Sequence, residues 1–490
     1  MNLTIDPWIP SVMPDGTKNI VSLRDAFGKA AEIRDLACDP PQRIALMRLL
    51  ICITQAGLDG PEDEKDWFEC KDRIADKALN YLDKWRDRFE LFGDNPFMQI
   101  PRLTVADGNL KPLDELDCRL ARGHMSVLFD HEASPEGRDL SHDQLALALL
   151  TLLNFSPEGK LGQSIWNRIT YSDSTFAAPC INYAHTFVRA GDLLSTIHFN
   201  LLTKKGQVTG VSHLPNGVWG QPVWEKFPHD VNDKTAFKNA GNSYLGRLVP
   251  LSRFVSLAET SSRRCIIGPI HKDYRIDHLP AFREPWATVV RRKDRETYLR
   301  LDKAKHMWRE LGSLLSLQKT DVGNSGSLSL CNLRDYFNRF PEKSVDLWVG
   351  GLKCSKGKFE DMLEWVFSID PGLLKEETMK KHTAGIGLAE EGEGALIKAV
   401  KAYFPILKVN AKSTPTPMAR QYFWDELNQQ YSILQQTAEN SSARLGDEWY
   451  ALVLNAAKRA YLLVCPRQTP RQIEAYARGL GKLWMKKPEE

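Results

Sequence analysis

Apolar residues recur along this chain with two periods, and the balance between them shifts near residue 374. Residues 1–26 alternate in the manner of short strands, with Pro7, Pro10, Pro14 and Gly16 marking turns. A helix is predicted from about Asp39, which can cap it, while Pro40 and Pro41 suit a first turn whose amides need no partner. Its body, RIALMRLLICIT, is apolar nearly all round, the pattern of a central buried helix. A second helix is predicted over roughly 71–92, where Ile74, Ala78, Leu82, Trp85 and Phe89 recur at helical spacing. Residues 94–101 break it, and 103–139 are irregular and polar. Ser141 and Gln144 then form a capping box ahead of LALALLTLLNF, a buried helix ending at Phe155. Loop and short strand are expected over 163–195, and strands over 243–300, with RRKDRE as a charged turn between WATVV and TYLRL. From 374 onward four amphipathic helical patterns follow, at roughly 374–404, 418–437, 446–465 and 470–486. Short polar breaks between them favour antiparallel neighbours, hence a four-helix bundle. The fold class read from this pattern is α+β: a large mixed α/β domain over 1–370, then a four-helix bundle over 374–490.

Length supports two domains, since single cores rarely grow beyond roughly 250–300 residues and this chain has 490. Thirteen Trp and twenty Phe argue for folded cores. The formal net charge of +3 excludes a histone-like basic binder, so any nucleic-acid role must rest on a local basic surface. Nine cysteines stand singly, without CxxC spacing, so neither a zinc knuckle nor a disulfide framework is encoded. With no signal-peptide pattern and no apolar run long enough to span a bilayer, a cytoplasmic protein is expected.

Catalytic motifs are sparse. The eleven histidines are dispersed, and His131–Glu132 lacks the second histidine of HExxH. There is no GxSxG elbow. Cys180 and His185 are near in sequence, but a nucleophile and its base need spatial placement that spacing alone does not give. SPEGKLGQS (156–164) contains GK but not the full phosphate-loop spacing, and it follows a helix rather than a strand. GIGLAEEGEG (385–394) reads as a flexible corner in the bundle.

A more informative series runs through the chain: LTIDPWIP with SLRDAF, NPFMQ (95–99), HTFVRAGDLLSTIHFNLL (185–202), GQPVWE (220–225), YLGRLVPLSRFV (244–255) and LWVGGLKCSKGKFEDMLEW (347–365). In this order and at these distances the series resembles the CasA family, the large subunit of the type I-E CRISPR surveillance complex Cascade. The resemblance covers essentially the whole chain. It implies a non-enzymatic subunit near the 5′ handle of the CRISPR RNA. Such a subunit checks a flanking motif (PAM) on double-stranded target DNA, starts unwinding and contacts the displaced non-target strand. It also provides a docking surface for a helicase–nuclease. The other partners implied are the backbone, small and RNA-end subunits of Cascade. No membrane partner, cofactor or metal is expected. Some relatives carry a cysteine cluster where this chain keeps only Cys265, so no zinc is expected.

The resemblance also points to residues. The family's glycine-rich loop after a buried helix matches SPEGKLG, making Gly159 and Gly162 candidates for close backbone approach to a groove. Lys160 in the same loop either contacts a phosphate or is merely solvated. The family's wedge hairpin, often tipped by Gln and a small residue, matches Lys356–Gly357. Lysine lacks the paired amide contacts of glutamine, so the tip is either a prying wedge or a basic surface turn. Lys353 and Lys358 add charge for phosphate. The loop HMSVLFDHEASPEG places Phe129, Asp130 and His131 at a tip that touches the RNA handle and backbone subunits. Phe129 there either stacks on a base or anchors the loop. Lys272 aligns with a lysine near the PAM, and Arg291–Arg292–Lys293 is a further basic turn. The alternatives are a metal-dependent nuclease whose site forms only in the fold, and a pure scaffold that does not read DNA.

Overall fold

The structure is a computed structural model that describes residues 1–106, 108, 110–117, 139–159, 161–172, 176–205, 218–257, 264–269, 271, 284–292, 295–315, 319–320, 323–324, 326–409, 414–440 and 442–488. The chain forms two compact units. The first comprises Met1–Lys303, Ser313–Phe340 and Val345–Ser368; the second comprises Ala304–Gly312, Pro341–Ser344 and Ile369–Glu490.

The first unit is built round the helix Pro40–Leu58, buried from Pro40 to Gln55 on nearly every side. Helices Ile74–Lys84, His142–Phe155 and Tyr244–Leu248 pack on it, as does strand Val345–Ser355. The capping box read at Ser141 is present: its amide donates to Gln144 Oε1 at 3.0 Å. The helix it opens stops at Phe155, and Ser156 leaves in an extended conformation.

Two expectations need correction here. The helix expected over 71–92 is α-helical only from Ile74 to Lys84, with tight 3-10 turns at Lys71–Arg73 and Arg86–Arg88. The second turn swings Phe89 inward to stack on Phe97, ring centroids 5.2 Å apart. The expected strand character of 244–249 is also wrong. Tyr244–Leu248 is a short helix, begun by Ser243, whose hydroxyl accepts from the Gly246 amide at 3.2 Å. It is buried all round, which erases the period that separates helix from strand. The charged hairpin does form, with Arg292 opposite Arg295.

Strands group in small sheets, one of which positions the site. Val345–Ser355 lies in its middle, flanked by His185–Arg189 and Lys358–Ile369. Trp348 pairs with Phe187 across the buried side of this sheet.

In the second unit the helices are Glu376–Tyr403, Thr416–Gln429, Tyr431–Glu439, Glu448–Val464 and Pro470–Leu480. The expected second helix is therefore two, divided at Gln430. The long first helix packs against each of the others. GIGLAEEGEG is not a corner: it lies inside that helix. A Cβ on Gly392 would come within 2.7 Å of Val453 Cγ1, so absence of a side chain lets two helix backbones approach. The Gly385 carbonyl accepts from Trp449 Nε1 at 2.9 Å. Trp308, on the Ala304–Gly312 segment, donates to Asn428 Oδ1 at 2.9 Å, tying that segment into this unit.

His382 sits fully buried on the long helix, with neither ring nitrogen hydrogen-bonded. Burial in apolar surroundings holds its pKa down at about 4. Below about pH 6.5 the unfolded imidazole gains a proton that the folded one refuses. The neutral ring's contribution is thus intact above pH 6.5 and lost as pH falls toward 4. Between pH 7 and pH 5 it should cost about 2 kcal/mol. Chemical denaturation of His382→Leu should show a correspondingly flatter pH profile than the parent chain.

Candidate nucleic-acid interface

The two strands Val345–Ser355 and Lys358–Ile369 are joined by two residues only, Lys356 and Gly357. Both have positive φ, +51° and +73°, the pairing of a type I′ turn. Such a turn matches the twist of a hairpin, and Gly suits its second position. Lysine is a poor choice for the first, where Asn, Asp or Gly would relieve strain. The turn's own conformation therefore does not account for Lys356. Its side chain is exposed, as is that of Lys358. Lys353 is half-buried and faces Glu360 Oε2 at 3.8 Å across the hairpin. Charge along the hairpin is polarised: Lys356 and Lys358 stand at the tip, while the Lys353–Glu360 pair, Asp361 and Glu364 lie farther down.

The hairpin tip meets the loop that follows helix His142–Phe155. A Cβ placed on Gly357 would lie 2.6 Å from the Glu158 carbonyl oxygen, so the tip rests against the 156–159 backbone. Two segments nearly two hundred residues apart, each selected from the sequence, are thus neighbours. Gly159 is exposed, has no left-handed φ, and a Cβ there would meet nothing within 4 Å. Neither local conformation nor packing against the described residues requires glycine at that position. Gly162 is exposed as well.

A residue that sequence reasoning missed holds this arrangement together. Arg253 is buried, and its guanidinium donates to the carbonyls of Ser252 (2.9 Å), Pro157 (3.0 Å) and Phe176 (2.7 Å). Burial lowers its pKa to about 10, still well above neutrality, so the group remains a cation. One buried charge therefore pins the root of the 156–159 loop to the segment at Phe176. The available signal was a lone arginine inside an otherwise apolar run, which must find acceptors when buried.

Asn182 performs a similar task with its backbone at φ +68°. Its amide donates to the Leu352 carbonyl (2.9 Å), its side-chain oxygen accepts from the Cys354 amide (2.7 Å), and its carbonyl accepts from the Leu301 amide (3.1 Å).

The Cys180–His185 pair is brought together, with Glu284, and the three ligand atoms lie within 4.8 Å of one another. All three residues are buried. Burial pushes the Cys180 thiol up and holds the His185 imidazole down at about 4, the reverse of an activated thiolate–imidazolium pair. Glu284 is already engaged by Arg48 and, at 3.5 Å, by Arg247 Nη2. A divalent cation would share this space with two guanidiniums and an unfavourably protonated thiol, so the donor set does not fit a metal. The His185 Nε2 is committed to the Cys180 carbonyl at 2.8 Å.

Phe129, Asp130, His131, Lys160, Lys272 and Lys293 lie outside the described residues, as do the side chains of Arg291 and Arg292. No helix among the described residues is long and apolar enough to cross a membrane.

The chain thus combines a mixed α/β unit, whose two-residue hairpin is seated on a glycine-bearing loop, with a helical unit. The sequence profile of the family described as CRISPR-associated protein Cse1 matches residues 2–461, and the chain belongs to that family. It is 27% identical over 408 residues to the CRISPR-associated protein CasA/Cse1 of Thermus thermophilus, covering 80% of this chain and 76% of that one. The solved structure of Thermus thermophilus CasA (Cse1) superposes with a TM-score of 0.77 at 21% identity, over 99% of this chain and 98% of the other. A chain of a structure described as a CRISPR RNA-guided surveillance complex gives a TM-score of 0.77 at 16% identity, over 99% of both chains.

Proposed function

We propose that this chain is the non-enzymatic large subunit of a type I-E CRISPR RNA-guided surveillance complex, and that it senses the flanking motif on duplex DNA. The observation that carries the reading is the contact between Gly357 and the Glu158 carbonyl, which makes the hairpin tip and the glycine loop one surface. The open space at Gly159 leaves its backbone free to approach minor-groove edges, which distinguish mainly A·T from G·C. Lys356 and Lys358, exposed at the tip, hold phosphates and press on the first base pair. Pairing with the guide RNA then reads the sequence, so the protein only licenses entry. Contact with the displaced strand and docking of a helicase–nuclease complete the role. The inverted pKa shifts of Cys180 and His185, and the guanidiniums around Glu284, argue against a thiol nucleophile or a metal at that cluster.

The test is target binding by the RNA-bound backbone subunits, with and without this chain, on duplexes carrying a randomised flank at fixed salt. Enrichment of particular flanks only when the chain is present is the expected result. Flank-independent binding would leave a scaffold. Within that assay, Lys356→Ala should weaken binding to intact duplex by about five- to tenfold while affecting a pre-opened bubble less. Equal losses on both would reduce Lys356 to a charge contact.

A further inference from the structure

Beside the hairpin tip the first unit contains a cleft of about 340 Å³, within the size range of sites for small ligands. Its lining includes Glu158, Phe176, Tyr183, Arg300, Ser355 and Lys356. The walls come from four separate stretches of chain, and each is tied to another by contacts already described. Arg253 joins the Pro157 and Phe176 carbonyls, Asn182 joins Leu352, Cys354 and Leu301, and Gly357 rests on Glu158. A cleft so tied is formed before any ligand arrives, which removes part of the ordering cost of binding.

The chemistry of the walls is uneven. Arg300 and Lys356 are exposed cations with no ion-pair partner among the described residues. Glu158 is an exposed carboxylate on the same cleft. Phe176 is a half-buried aromatic wall, and Tyr183 is backed by Tyr298 with ring centroids 4.6 Å apart. A purely anionic ligand would be repelled by Glu158, and an apolar side chain would strand the polar walls. A single nucleotide answers all of them. Its phosphate suits the two cations, its flat base suits the aromatic wall, and an exocyclic amino group suits the carboxylate.

We propose that this cleft holds one unpaired nucleotide released when the hairpin tip opens the first base pairs. The inference rests on the tip-and-loop reading above and extends it: the surface that opens the duplex also keeps one base from re-pairing. The base captured carries an amino group, as cytosine, adenine or guanine does and thymine does not. Either strand could supply it, and the substrates below separate the two.

The experiment uses the assembled complex and duplexes bearing 5-iodo-deoxycytidine at each of the first target positions beside the flank, in the target strand or in the displaced strand. Irradiation followed by peptide mass spectrometry should place a cross-link from one strand on the peptides containing Phe176, Tyr183 or Ser355. Phe176→Leu combined with Arg300→Gln should cut that cross-link and shorten the lifetime of the opened complex by about tenfold, the scale of one lost base–aromatic stack. Flank preference should be unchanged. Thymine at the captured position should shorten the lifetime in the parent chain, and Glu158→Gln should remove that difference. Cross-links confined to other peptides, with flank-dependent opening intact, overturn the cleft proposal alone. Loss of flank-dependent opening in the parent chain overturns the reading beneath it.

Discussion

Glu284→Gln should destabilise the chain by about 3–5 kcal/mol, the range for breaking a buried ion pair from one side. Its carboxylate is 1% exposed and lies between two guanidiniums, Arg48 and Arg247, at 0% and 1% exposure. Arg48 also donates to the carbonyls of Leu248 (2.9 Å) and Arg247 (2.6 Å), so it cannot swing out to water without breaking those bonds. Glutamine keeps the shape and removes the only negative charge in the triad, leaving two buried cations to repel each other. Chemical denaturation of the full chain at neutral pH measures the loss. The double variant Arg48→Met/Glu284→Met should recover part of it, because one buried cation, Arg247, rather than two is then left without a carboxylate. A single variant as stable as the parent would mean that the triad is reached by water.

This triad was not legible in the sequence. Arg48 sits in the apolar run LMRLL, Arg247 in LGRLV, and Glu284 more than thirty residues beyond that, so no spacing relates them. Long-range charge pairing depends on how helices cross, and a one-dimensional pattern carries no such information. The capping signals fared better because they are local: Ser141 and Gln144 meet within a single turn wherever the helix lies. The glycines of 385–394 show the opposite failure. Glycine signals either a break or a close approach, and only the neighbouring helix decides which. Here Val453 occupies the space a side chain would need at Gly392. At the candidate site, Lys356–Gly357 and the 156–162 loop were each selected through the family resemblance, as matches to a wedge hairpin and to a glycine-rich loop after a buried helix. Their contact, and the buried Arg253 behind it, required the fold.

Gly357→Ala should do more damage to flank reading than any lysine change. Glycine is required here twice over. At φ +73° a Cβ costs about 1–2 kcal/mol. The same atom would press to within 2.6 Å of the Glu158 carbonyl oxygen, a backbone atom that cannot rotate away as a side-chain end would. Either the turn or the 156–159 loop must move. Flank-dependent duplex binding is therefore expected to fall by more than about tenfold, while incorporation into the complex stays intact, because the strain is confined to an exposed tip. Gly357→Asn separates the two causes: asparagine tolerates left-handed backbone better, yet brings the same Cβ to Glu158. If Asn rescues binding, the turn's conformation is the requirement. If Asn and Ala are equally impaired, the seat on the loop is. Gly159→Ala is the control, since its Cβ would meet none of the described residues within 4 Å. Loss of duplex binding by that variant in an otherwise normal complex would then report the approach of the DNA itself.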